Sequence, residues 1–304
     1  MGIFLAIIAL VAWGLGDFLI QKSTRRTKRW PIGLLNIVLN RSGEKFSKWI
    51  VLFYITCAGA IVLTPFIFAK IQLLSWLDVG LLTLVSVVIL IAALLEFQAL
   101  KIGKLSVVEP AFALEIPVTA LLAGFLLQEK LNSNQIFLIA VLIIGIFLVS
   151  VKDLTNLKKV IWEKGAGLAA VATLTMGAVN FLVGFSSRQT DPLMTNWFLN
   201  VFVAVVSFIY LIKHGQAANT FSYLKENTKL ILNTCLFDNL AWIAFAFSMT
   251  QIPIAIATGI SESYIILAVG LGFVFNKEKL RKHQITGLVV AVIAAVILAM
   301  MVEK

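Results

Sequence analysis

Residues 79–100 read VGLLTLVSVVILIAALLEFQAL, an apolar run that Asp78 precedes and Lys101 follows, with Glu96 as its single charge. A helix rising 1.5 Å per residue needs about 20 such residues to cross a hydrocarbon core of roughly 30 Å. The run is too long and too uniformly apolar for the alternating strands of a membrane barrel, so it reads as a transmembrane helix that carries one acid.

Nine further runs meet the same test. The ten expected spans are 2–20, 49–69, 79–100, 105–128, 133–151, 165–187, 192–212, 230–250, 252–276 and 284–302. Composition agrees. Of the 304 residues, 60% are apolar and 13% charged, against about a quarter charged in a soluble domain. The mean hydropathy is +0.98. The first run has no basic segment ahead of it and no clear cleavage site, so it is expected to be a retained helix. Cys57 and Cys235 lie inside apolar runs and read as small packing residues.

The net charge of +10 is a matter of topology rather than nucleic acid. If the first terminus is outside, the loops after spans 1, 3, 5, 7 and 9 are cytosolic, and 21 of the 25 Lys and Arg residues fall there. The other side holds Lys70, Lys130, Arg188 and Lys304. This bias predicts both termini outside the cytosol, in the plasma (cell inner) membrane, with contact to membrane lipids and no nucleic-acid partner. The segment 21–48 contains a short apolar piece, Pro31 to Leu39, flanked by cations. It reads equally as an interfacial helix or a solvated basic loop.

The two halves repeat. Residues 99–151 and 248–300 align without a gap at an offset of 149, placing Glu129-Lys130-Leu131 on Glu278-Lys279-Leu280 and Gln135-Ile136 on Gln284-Ile285. The starts match at an offset of 163, where Gly14 meets Gly177, Asp17 meets Asn180 and Arg25 meets Arg188. Each half holds five spans. An odd number sends the second half through the membrane upside down, the construction of many secondary transporters. The expected units are 1–152 and 162–304.

On these motifs the chain resembles the EamA family of the drug/metabolite transporter superfamily. The resemblance runs over nearly the whole chain, as two five-helix repeats. Its carriers are Trp13-Gly14, the stretch from Glu115-Ile116-Pro117-Val118 to Leu127-Gln128-Glu129-Lys130-Leu131, and a second copy from Glu262-Ser263-Tyr264 to Asn276-Lys277-Glu278-Lys279-Leu280. In that copy Ile266 stands where Pro117 would align. The resemblance implies ten helices around a central cavity with alternating access. Members move amino acids, other small metabolites or drugs, often as exporters.

The ten spans hold six acids, Asp17, Glu96, Glu109, Glu115, Asp238 and Glu262, and no Lys, Arg or His. An ionised side chain in hydrocarbon costs at least ~3 kcal/mol, so such groups face a cavity, stay protonated or meet a cation. By depth, Glu115, Asp238 and Glu262 fall near the midplane and are the expected substrate site. Asn239, Trp242, Ser261, Ser263, Tyr264 and Trp13 would add hydrogen bonds and an aromatic wall. Asp17, Glu96 and Glu109 would form an inner vestibule. Purely structural roles stay open: snorkelling for Asp17 and Glu96, a frayed helix start for Glu109 before Pro110, and cross-helix bonds for Asn180, Asn196 and Asn200. Glu129 and Glu278, at span boundaries, read as bonding to backbone or a neighbouring loop. Pro110, Pro117, Gly259, Gly270 and Gly272 mark spans 4 and 9 for broken or closely packed helix.

The expected function is a secondary transporter of a small polar metabolite, amino-acid or amine-like, compatible with export and with proton coupling. No cofactor or metal is called for. A channel or receptor is the alternative, but no selectivity-filter motif is visible. An enzyme is a weaker one: His214 and His283 lie in loops, and no metal-ligand spacing or phosphate loop appears.

Overall fold

The computed structural model describes residues 1–25, 35–102, 114–151, 166–267 and 281–301. Among them there are ten α-helices and no β-strand. They are α1 (Gly2–Arg25), α2 (Leu35–Ile67), α3 (Trp76–Ile102), α4 (Glu115–Leu126) and α5 (Ser133–Ser150), then α6 (Ala166–Gln189), α7 (Pro192–Lys213), α8 (Ala217–Met249), α9 (Ile254–Ser261) and α10 (Lys282–Met300). Six helices are long and apolar enough to cross a membrane. One described helix overlaps each expected span. Spans 4 and 9 are seen only in part, because 103–113 and 268–280 lie outside the described residues.

Two boundaries differ from expectation. Helix α2 begins at Leu35, so the end of the Pro31 to Leu39 piece is the first turn of a 33-residue helix and not a separate interfacial one. Helix α8 likewise starts well before position 230, with non-helical backbone at Asn227 (φ −123°, ψ 25°) separating its polar first turns from the apolar remainder. The Tyr54 hydroxyl anchors that polar part by donating to the Thr220 carbonyl at 2.8 Å.

Local signals set the helix starts. Asp191 is the N-cap of α7, accepting from the Leu193 and Met194 N–H groups at 2.8 and 3.2 Å, with Pro192 next. Lys70 Nζ reaches the same carboxylate at 2.8 Å. Burial works against ionisation of Asp191, but the Lys70 bond, the two N–H donors and the Lys70 charge outweigh it and hold the carboxyl below its ordinary range. The starts of α5 and α10 share one device. Gln135 Oε1 accepts the Asn132 N–H at 2.9 Å, and Gln284 Oε1 accepts the Arg281 N–H at 3.0 Å.

Helix contacts come in matched pairs. Helix α1 packs on α8 as α6 packs on α3, α4 on α6 as α9 on α1, and α2 on α8 as α7 on α3. Helices α2 and α7 also pack together and run antiparallel: Trp197 Nε1 donates to Thr64 Oγ1 at 2.9 Å near one end, while Trp49 stacks on Tyr210 at 4.1 Å near the other. Helices α5 and α10 form another antiparallel pair, with Gln284 Nε2 donating to the Val149 carbonyl at 2.9 Å. The outer surface is apolar, with Phe4, Ile61, Leu121, Phe125, Phe137 and Leu174 all exposed, as lipid rather than water would favour.

Without a water-driven hydrophobic effect between helices in lipid, close backbone approach at small residues does the packing. On α10, a Cβ at Gly287 would sit 2.7 Å from the Gly145 carbonyl oxygen and 2.9 Å from the Val149 nitrogen. Gly80 has nothing within 4 Å. Gly287→Leu should therefore destabilise the fold by about 1–3 kcal/mol while Gly80→Leu leaves it unchanged. Thermal unfolding of both variants in detergent is the check, and equal midpoints would refute the contact.

Candidate functional site

The described residues enclose a cavity of about 90 Å³ between the two halves of the chain. That is room for a handful of waters or a small molecule. Every charged side chain in its lining is an acid: Glu96, Glu115, Asp238 and Glu262. Four amides, Asn180, Asn196, Asn200 and Asn239, share the wall with the aromatic rings of Trp13, Trp242 and Tyr264.

Glu115 opens α4 and Glu262 closes α9, each only 4% exposed. Asn180, mid-way along α6, lies between them. Its Nδ2 donates to Glu115 Oε2 at 3.3 Å and to Glu262 Oε1 at 3.2 Å. A primary amide has two hydrogens, so one group serves both carboxyls. Small residues make this possible. A Cβ on Gly177 would fall 2.6 Å from Val118 Cβ and 3.1 Å from the Glu115 carbonyl oxygen. The Thr119 hydroxyl donates to the Gly177 carbonyl at 2.9 Å and fixes the crossing. Asn180 is one turn along α6 from that contact and so reaches Glu115.

A second polar junction joins α2, α7 and α8. Asn200 Nδ2 donates to Asn239 Oδ1 at 3.1 Å, and Asn239 Nδ2 donates to the carbonyls of Ile55 at 3.0 Å and Cys235 at 2.9 Å. A Cβ on Gly59 would overlap both side-chain amides. Asp238, next in sequence, faces the cavity, as does Trp242 one turn later. Trp13 meets the edge of Trp242 with centroids 5.2 Å apart and that of Phe245 at 4.9 Å, and Tyr264 stands 6.4 Å away. Edge contacts of this kind give a rigid aromatic wall.

Of the expected site residues, Glu115, Asp238, Glu262, Trp242, Asn239, Tyr264 and Trp13 converge on this one cavity, and Glu96 joins them from α3. Ser261 does not line it: its hydroxyl donates back to the carbonyls of Ala257 and Thr258 at 2.9 and 3.2 Å. Ser263 likewise bonds to the Gly259 carbonyl at 2.8 Å. The Asp17 side chain and Glu109 lie outside the described residues. Asn180, Asn196 and Asn200 make the cross-helix and backbone bonds open to them, and they also face the cavity. Gly59 went unnoticed in the sequence. Its only signal there is the short run of small residues Cys57-Ala58-Gly59-Ala60 within the second span.

Because Asn180 serves two buried acids, substitutions at the bridge should couple. A double-mutant cycle on Asn180→Ala and Glu262→Gln, read by denaturant unfolding in detergent, should give an interaction of about 0.5–3 kcal/mol. Strict additivity would mean that the amide does not hold the carboxyl.

No curated protein matches the chain in sequence. A solved crystal structure superposes with a TM-score of 0.70 at 12% identity, covering 99% of this chain and 97% of that one. At that identity the likeness is one of fold. The EamA-like transporter family matches residues 1–151 and again 163–300. The all-helical bundle fits that assignment, and the chain belongs to the EamA-like transporter family of the drug/metabolite transporter superfamily, as a multi-pass membrane transporter of that type.

Proposed function

We propose that this protein is a secondary transporter in which two inverted five-helix repeats, 1–152 and 162–304, alternately expose one acidic cavity to the two faces of the plasma membrane. The cargo is a small polar metabolite bearing an amine, as a cation or a zwitterion. The observation that carries the cargo is the cavity lining, whose charged members among the described residues are all carboxylates. An anion entering it would meet repulsion, whereas an ammonium group would replace the hydration that burial removes from Glu115 and Glu262. Cation–π attraction from Trp13, Trp242 and Tyr264 adds to this.

Three observations support the inverted repeat. The helix contacts keep their pattern when each helix of the first half is exchanged with its counterpart five places on. The counterparts α2 and α7, and α5 and α10, run antiparallel. At the level of residues, Gly177 abuts Val118, and Gly14 abuts Leu267, where a Cβ on Gly14 would sit 3.0 Å from Leu267 Cδ2. These two contacts map onto one another at the offsets of 163 and 149 read from the sequence. The charge bias of the loops then puts both termini outside the cytosol. Export, and coupling to a proton taken up by the same carboxyls, fit this arrangement.

Flux into and out of proteoliposomes should be measured for amino acids, amines and organic acids, with and without a pH gradient. Saturable flux of an amine or zwitterion is expected. Glu115→Gln, Asp238→Asn and Glu262→Gln should each lower it by at least about tenfold, since each removes a carboxylate facing the cargo. A pH gradient that drives flux uphill would establish the coupling. Flux of anions alone, indifferent to all three substitutions, would overturn the site.

A further inference from the structure

Arg188, near the end of α6, makes three directed bonds. Nη1 donates to Glu129 Oε1 at 2.6 Å, Nε to the Met249 carbonyl at 2.7 Å and Nη2 to the Ile252 carbonyl at 3.0 Å. Glu129 in turn accepts the Ile254 N–H, at 2.9 Å on Oε2 and 3.2 Å on Oε1. That N–H belongs to the first residue of α9 and has no partner within the helix. Glu129 follows α4 in the first half of the chain. Arg188 and the turn from Met249 to Ile254 belong to the second. One ion pair therefore ties the two halves together at a point where three chain segments turn.

The position of this knot is informative. It lies at the end of the bundle where α1 begins, since a Cβ on Gly2 would be 2.8 Å from Ile252 Cγ2. Among the described residues, the lining of the cavity does not reach that end. On α1 its lining is Trp13 and Ile20, while Ile3, Ala6 and Ala9, earlier on the same helix, are buried in the core. On α3, which starts at this end, its lining runs only from Ile89 to Phe97. The knot stands over the closed mouth.

We propose that the Arg188–Glu129 pair is the latch of this mouth, closed in the structure and broken each time the cavity opens on the side where α1 begins. The proposal rests on the alternating-access reading above. Its chemistry suits a reversible closure. The two side chains are 29% and 12% exposed, so the pair is drier than a surface ion pair and holds more firmly. When the halves part, both ions meet water and regain the hydration lost on closing. A purely apolar seal would have no such compensation. The planar guanidinium can hold the carboxylate and the two carbonyls at once, which a lysine ammonium on a flexible stem cannot do with the same geometry.

The test is pulsed EPR distance measurement on the full chain in liposomes, with Cys57→Ser and Cys235→Ala and spin labels at Lys130 and Gln251, both exposed on opposite sides of the latch. The parent should show mainly a short distance. Arg188→Gln should raise the long-distance fraction by about tenfold, within the usual range for coupling between two states. Glu129→Gln should act in the same direction, and it serves alone if Arg188→Gln does not fold. Arg188→Lys should fall between parent and Arg188→Gln. A distribution unchanged in folded Glu129→Gln and Arg188→Gln, with parent flux intact, would overturn the latch and leave the carrier standing. Labels that no variant, substrate or pH gradient moves, together with absent flux, would sink the latch and the carrier alike.

Discussion

Two carboxyl side chains, one from each half of the chain, share a single asparagine amide in the middle of an apolar bundle. Placing acids there is costly, and the surrounding structure answers that cost locally. Asn180 supplies donors from α6, the turns that carry Glu115 and Glu262 bring both acids to the same place, and the cavity beside them admits water or cargo. Without the void, two acids so close would be a defect. Beside it, both acids line a space between the two halves of the chain.

The helices can meet at this point only because small residues let backbones touch. Gly177 admits α4 against α6, Gly14 admits the segment after α9 against α1, and Gly59 leaves space for the Asn200–Asn239 bond. In the transport cycle proposed above the same residues serve as pivots, since a contact between smooth backbone surfaces slides with less resistance than interlocked side chains. The Arg188–Glu129 pair supplies at the rim a directional bond that sliding surfaces lack.

Much of this was legible in the sequence, for identifiable reasons. Long apolar runs without alternation mark helices in lipid, and each of the ten expected runs overlaps one described helix. Rare acids in such runs mark a cavity, since lipid excludes them, and Glu115, Asp238, Glu262 and Glu96 do share one. The helical extension of α2 was less legible because its apolar piece ends at Leu39 and is separated from the span by a polar stretch holding Arg41, Glu44, Lys45 and Lys48. The double role of Asn180 was hidden because its partners are 65 and 82 residues away. Pairing of that kind depends on where α4, α6 and α9 cross, and crossing points are set by small residues too common to single out. Ser261 shows the converse. Its place beside Glu262 suggested a ligand, but a helical serine turns readily to the carbonyl one turn back, and this one does.

The central claim is that one acidic cavity is reached from either side, and from one side at a time. Ala93 lines that cavity on α3. A single cysteine there, in a chain lacking Cys57 and Cys235, can be challenged with a membrane-impermeant thiol reagent applied to one face of sealed vesicles and then to the other. The account predicts modification from both faces, with rates that shift reciprocally when a transported amine is added: whatever speeds one slows the other. Rates that rise together, as in an open pore, or a cysteine that reacts from neither face would contradict it.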